Sequence, residues 1–145
     1  MTVKVKDRSL NVLLVEDDKV DVMNIRRAFA KNDFESSLHV AENGLEALSL
    51  LRNEEESSVP SKRLLILLDL NMPKMGGIEF LDALRHDDSL KKIPVIVLTT
   101  SNEERDRIEA YKFNVAGYIV KPVTFSKFLS VTKALNEYWS LCEMP

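Results

Sequence analysis

Five residues of this chain pair a side chain able to do chemistry with the point where a short apolar run stops. Glu16 and Asp17 follow NVLLV, Asp69 follows LLILL, Thr99 follows IPVIVL and Lys121 follows GYIV. Three carboxylates at close range repel one another, and like charges raise their pKa values unless a cation intervenes. A hard divalent cation answers that demand. Mg2+ prefers oxygen ligands and typically needs one or two carboxylates beside waters and phosphate oxygens. Lys121 offers a point charge to an anionic oxygen and Thr99 a hydroxyl donor to a second one, which completes a phosphoryl site. No glycine-rich phosphate loop or dinucleotide fingerprint is present, so a nucleotide is not the implied phosphate source. Asp69 itself is then the best candidate for phosphorylation, as a nucleophile.

These residues can meet only if the elements beneath them share one sheet edge. Asn11–Val15, Leu64–Leu68 and Ile93–Leu98 are aliphatic without polar alternation, as strands covered on both faces require. Ser37–Ala41 and Gly117–Val120 read as shorter strands. Helical spacing links Val20, Met23, Ile25, Ala28 and Phe29 over 19–31, with Asp17 or Asp18 available as cap. Asn43-Gly44 marks the turn into a second helix bearing Leu45, Ala47, Leu48, Leu50 and Leu51. Ile78, Phe80, Leu81 and Leu84 make a third, ending near His86. Glu103–Phe113 is a charged helix with a thin stripe of Ile108, Ala110 and Tyr111, and 124–141 a long one carrying Phe128, Leu129, Val131, Leu135 and Trp139. Strand and helix alternate five times, which predicts an α/β parallel sheet with helices on both faces and right-handed crossovers. In such sheets ligands bind beyond the carboxyl ends of the strands. The segment Asn53–Arg63 reads as an exposed connector, and its Glu54-Glu55-Glu56 run as solvated surface.

At 145 residues the chain fits one domain, expected as a polar leader at 1–9 and a domain at 10–145 with no effector domain. A net charge of -3 supplies no basic footprint for nucleic acid. No apolar run is long enough to cross a bilayer, so a cytoplasmic protein with no membrane association is expected. Cys142 is the one cysteine, so no internal disulfide can form.

LLVEDD, LLDLNMPKMGG, PVIVLTTS and GYIVKP occur in this order, each at the end of a predicted strand. Together they resemble the receiver domains of two-component response regulators over the chain from Asn11 onward. The resemblance implies a flavodoxin-like sheet of order 2-1-3-4-5 and a Mg2+-dependent transfer of a phosphoryl group from a sensor histidine kinase onto Asp69. It implies Mg2+ contacts from Glu16 or Asp17, from Asp69 and from the backbone carbonyl of Asn71. It further implies a cis bond before Pro122 and a Tyr118 ring that changes orientation on phosphorylation. Within the family, LLVEDDKVD, LILLDLNMPK, IPVIVLTTS and the aromatic YW near the end are similar to stand-alone regulators paired with cyanobacterial phytochrome kinases. Output would leave through the face of the fourth helix, fifth strand and fifth helix, as a homodimer or a docking site for a downstream protein. Two positions depart from the family pattern. Gly76 stands where an acidic or small polar residue is common, and Thr100 is bulkier than the usual Ala or Gly, which would restrict access to the phosphoryl group.

Plainer roles compete. Glu16 and Asp17 are placed to cap the first helix, while Asp18 and Asp21 read as capping or surface residues rather than ligands. His39 and His86 lack ligand spacing. Tyr118 suits a core, and Tyr138 and Trp139 close one. An aspartate-nucleophile phosphatase uses similar chemistry but places a second acid two residues after the nucleophile, where this chain has Asn71. A pseudo-receiver used only for binding would not need the acidic set with Lys121. The expected protein is therefore a phosphoacceptor and not an enzyme acting on small substrates.

Overall fold

The computed structural model describes residues 10–32, 36–52 and 59–145. The leader at 1–9 and the Glu54-Glu55-Glu56 run lie outside the described residues. Among the described residues, strands β1 (Leu10–Val15), β2 (Ser36–Ala41), β3 (Leu64–Leu68), β4 (Val95–Thr99) and β5 (Gly117–Val120) alternate with helices. These are α1 (Lys19–Lys31), α2 (Gly44–Leu51), α3 (Gly77–Arg85), α4 (Glu104–Lys112) and α5 (Phe125–Leu141). Every ladder is parallel, and the strand order is β2-β1-β3-β4-β5, as expected.

Strand residues alternate between faces. Leu13, Val15, Ile66, Leu68, Val95 and Val97 pack with Ala47 and Leu48 of α2, Phe80 and Leu84 of α3, and Ala110 of α4. Their neighbours Val12, Leu14, Leu65, Leu67, Ile96 and Leu98 pack with Ile25, Ala28 and Phe29 of α1 and Phe128, Leu135 and Trp139 of α5. Both faces of the central strands are therefore apolar, which is why no polar alternation shows in their sequences.

The helix ends follow from local chemistry. Asp18 caps α1, its carboxylate accepting from the backbone N–H of Val20 and Asp21. Asn43 caps α2 and Thr124 caps α5 in the same way, whereas Gly76 begins α3 without a side-chain cap. Several helix positions differ from expectation. Val20 and Met23 of α1 are exposed, because the buried stripe runs through Ile25, Ala28 and Phe29. Leu45 is also exposed, and in α4 only Ala110 is buried while Ile108 and Tyr111 stand half in solvent. Strand β4 starts later than expected, at Val95. Pro94 has no N–H to donate, although its carbonyl accepts from Ile66 at 3.1 Å. No helix among the described residues is long and apolar enough to cross a membrane.

Candidate phosphoacceptor site

The sheet ladders carry the chemical residues to one edge. The N–H of Glu16 donates to Ala41 at 2.9 Å, that of Asp69 to Val15 at 3.0 Å and that of Lys121 to Thr99 at 2.7 Å. Each residue is thus held as an extension of a paired strand. Continuing the alternation of the strands assigns Glu16, Asp69 and Lys121 to the face covered by α1 and α5. Thr99, whose strand neighbours Val95 and Val97 meet α3 and α4, belongs to the other face.

Glu16 and Asp69 are buried, at 1% and 5% exposure, while Asp17 is exposed. Carboxylate oxygens of the three lie within 4.8 Å of one another. Lys121 Nζ donates to Glu16 Oε2 at 2.5 Å and to Asp21 Oδ2 at 2.7 Å, and it sits 3.8 Å from Asp69 Oδ2. The other Glu16 oxygen accepts from the N–H of Asp18. Asp69 Oδ1 is buried and has no hydrogen-bond partner among the described residues. A buried acceptor without a donor is costly, and a cation bridging these oxygens is what the donor set suits. Burial pushes the Glu16 carboxyl up to about 7, opposed by the hydrogen bonds from Lys121 and the Asp18 backbone and aided by the Asp69 charge. Burial pulls the Lys121 ammonium down, but Asp21 and Glu16, with the Asp69 charge, outweigh it and hold it above the usual lysine range. One ammonium among several carboxylates leaves the pocket with excess negative charge.

The chain leaves Asp69 through a turn held tightly to its neighbours. Gly77 N donates to Leu70 O at 3.0 Å, and Gly44 N to Met75 O at 3.1 Å. A Cβ at Gly77 would meet Asp69 O at 2.6 Å and Leu70 Cα at 2.7 Å, so only glycine lets α3 start this close to the strand. Asn71 is exposed within the same turn.

On the other face the Thr99 side chain is fully buried, and its hydroxyl accepts from the N–H of Ser101 at 3.3 Å. Ser101 O in turn accepts from the Tyr118 hydroxyl at 2.9 Å, and Ser101 Oγ donates to Asp106 of α4 at 2.5 Å. Ser101 therefore ties the strand-end hydroxyl to the aromatic ring and to the first turn of α4. Thr100 is exposed.

The expectation of a cis bond at Pro122 is corrected: no described peptide bond is cis. The trans form is the favoured isomer of an X–Pro bond, and Lys121 reaches its carboxylate partners with the bond trans. Asp18 is the cap it was expected to be, but Asp21, read as capping or surface, is an ion-pair partner of Lys121. Sequence reasoning missed it because its link spans 100 residues. Ser101 was missed as well, although it ends the same hydroxyl run as Thr99. His39 pairs with nearby Ser37 and His86 with Asp82, both away from the acidic cluster. Trp139 closes the core, whereas Tyr138 packs edge-on against it and is exposed.

Residues 12–133 match the family model described as the response regulator receiver domain. The probable methanogenesis regulatory protein FilR2 of Methanothrix harundinacea is 37% identical over 88% of this chain and 82% of its own. The response regulator Rcp1 of Synechocystis is 34% identical over 88% of this chain and 87% of its own. A crystal structure of Mn2+-bound Rcp1 matches with a TM-score of 0.83, covering 94% of this chain and 99% of that one. The phosphorylated cyanobacterial phytochrome response regulator RcpA matches with a TM-score of 0.84 at 38% identity, covering 94% of this chain and 98% of that one. With the flavodoxin-like strand order and the acidic strand-end cluster, these matches establish that the chain belongs to the response regulator receiver domain family of two-component signalling.

Proposed function

We propose that the chain is a phosphorylation-controlled switch in which Asp69 accepts a phosphoryl group from the phosphohistidine of a sensor histidine kinase. The observation that carries this reading is Asp69 itself: a buried carboxylate with one unpartnered oxygen, beside two further carboxylates and 3.8 Å from a lysine ammonium. An Asp69 oxygen attacks the phosphorus, the O–P bond forms, and the P–N bond breaks with its electron pair leaving on the imidazole. Glu16, Asp17, Asp69 and the backbone carbonyl of Asn71 would hold Mg2+, which when bound would offset negative charge on the transferring group. Lys121 holds a phosphoryl oxygen as a point charge.

The added charge on Asp69 is a new acceptor at the sheet edge. It draws the Thr99 hydroxyl away from the N–H of Ser101, and the change passes through Ser101 to Tyr118 and α4. The altered surface of α4, β5 and α5 then serves a homodimer or a downstream protein. The similarity to the cyanobacterial phytochrome response regulator RcpA supports a phytochrome-type kinase as the input, and the proposed switch works in the cytoplasm. A small-molecule phosphatase is disfavoured, since Asn71 supplies no acid two residues after Asp69.

The test is incubation with Mg2+ and a small-molecule phosphodonor, followed by a search for an acid-stable, hydroxylamine-labile adduct. Wild type should form it and Asp69→Asn should not. An unmodified wild type, or equal modification of the variant, overturns the reading.

A further inference from the structure

Asp21 lies in the first turn of α1, where its N–H is held by the Asp18 cap at 3.1 Å. Its carboxylate has no part in the chemistry set out above, yet it accepts from Lys121 Nζ at 2.7 Å. The Lys121 side chain is 6% exposed and that of Asp21 23%, so the pair is partly buried and more than a solvated surface contact. An ammonium has three donors, and Lys121 directs two of them at Glu16 and Asp21 while lying 3.8 Å from Asp69. Glu16 and Asp69 are also two of the three carboxylates that converge on the candidate metal position; Asp21 is not in that cluster. Lys121 and a divalent cation therefore draw on the same two carboxylates, Glu16 and Asp69. Asp21 is the partner of Lys121 for which the cation does not compete.

We propose that Asp21 is a positioning residue for Lys121. It supplies the counter-charge that keeps the ammonium seated beside Asp69 while Glu16 passes from Lys121 to the divalent cation. The inference rests on the phosphoacceptor reading for its purpose but not for its geometry. Without Asp21, Lys121 falls back on Glu16 and Asp69, and the cation must displace it from both. Loss of a nearby negative charge would by itself also weaken cation binding. The two explanations differ in one respect: positioning acts only when Lys121 is present.

The experiment is a Mn2+ titration of the full chain, followed by electron paramagnetic resonance of the free ion. The proteins are wild type, Asp21→Asn, Lys121→Met and the double variant, with circular dichroism melts to verify folding. Asp21→Asn should weaken Mn2+ binding about five-fold when Lys121 is present, a loss on the scale of one ordinary hydrogen bond, and by less than about two-fold in the Lys121→Met background. Asp21→Glu should keep most of the affinity, and it serves with Asp21→Ser as the comparison should Asp21→Asn fail to fold. Equal effects in both backgrounds, no effect in wild type, or no Mn2+ binding at all would each overturn the proposal. The readout does not use phosphorylation. A coupled effect without an Asp69 adduct would remove the proposed function alone, and an adduct without coupling would remove this inference alone.

Discussion

Replacing Gly77 by alanine places a methyl group against the backbone that carries the phosphoacceptor. The added Cβ would lie 2.6 Å from Asp69 O, 2.7 Å from Leu70 Cα and 2.8 Å from Leu70 Cδ2. The first contact falls about 0.8 Å short of ordinary van der Waals separation, and two of the three atoms are backbone that cannot rotate away. Either α3 withdraws from the sheet or Asp69 moves with its carbonyl. Overpacking of this kind costs about 1–3 kcal/mol, which for a domain of this size lowers Tm by roughly 3–9 °C. A shift of the nucleophile by about half an ångström should also slow phosphorylation roughly ten-fold, given that about 1 Å of misplacement can cost a hundred-fold.

The neighbouring glycine supplies the control. A Cβ at Gly76 would come no closer than 3.5 Å to Leu70 O, so Gly76→Ala should be close to wild type in both respects. Thermal melts and the rate of adduct formation from a small phosphodonor measure the two effects. If Gly77→Ala melts and reacts like Gly76→Ala, the close approach of α3 to β3 does not position Asp69, and the reasoning fails.

Metal affinity should depend on pH through Glu16. Its carboxyl is pushed up to about 7, so a proton competes with the cation below that value, and Mn2+ affinity should rise about ten-fold from pH 6 to pH 8. A flat profile would count against Glu16 as a ligand. Linkage works in the opposite direction for stability without metal. Because the folded-state pKa is raised, the folded chain keeps a proton that the unfolded chain loses, and this contribution to stability is lost as pH rises through about 7. Denaturant titrations should show that decline in wild type and not in Glu16→Gln. Arg85 donates to the carbonyls of Phe113, Lys91, Ile93 and Asn114, tying α3 to the end of α4 and the start of β4. Arg85→Met should cost about 2–3 kcal/mol by leaving these carbonyls without their charged donor, and an unchanged denaturation midpoint would contradict that account.

Much of the fold was legible because its signals are local. The uninterrupted aliphatic runs of β1, β3 and β4 showed strands buried on both faces, and β3, α1 and β5 have the bounds that the sequence suggests. Asp18 and Asn43 announced their helices because capping acts within three residues. The site was legible where an acid or a lysine ends a run, as at Asp69 and Lys121, since a parallel sheet brings such ends to one edge. The burial of individual helix positions was less so. Val20, Met23 and Leu45 fit an apolar pattern yet face solvent, because the helix's rotation against the sheet decides which stripe is covered.

The sequence by itself determined the alternation of strands and helices, the identity of the acids and the lysine, and the edge on which they gather. Tertiary structure alone decided how they are paired. Lys121 finds Asp21 because α1 covers the face to which strand alternation assigns Glu16, Asp69 and Lys121. Thr99 finds Ser101, and through it Tyr118, on the other side, where the chain after β4 leads into α4. Both outcomes depend on which face of the sheet each helix covers. That choice is made by packing between residues far apart in the chain, and no local spacing records it.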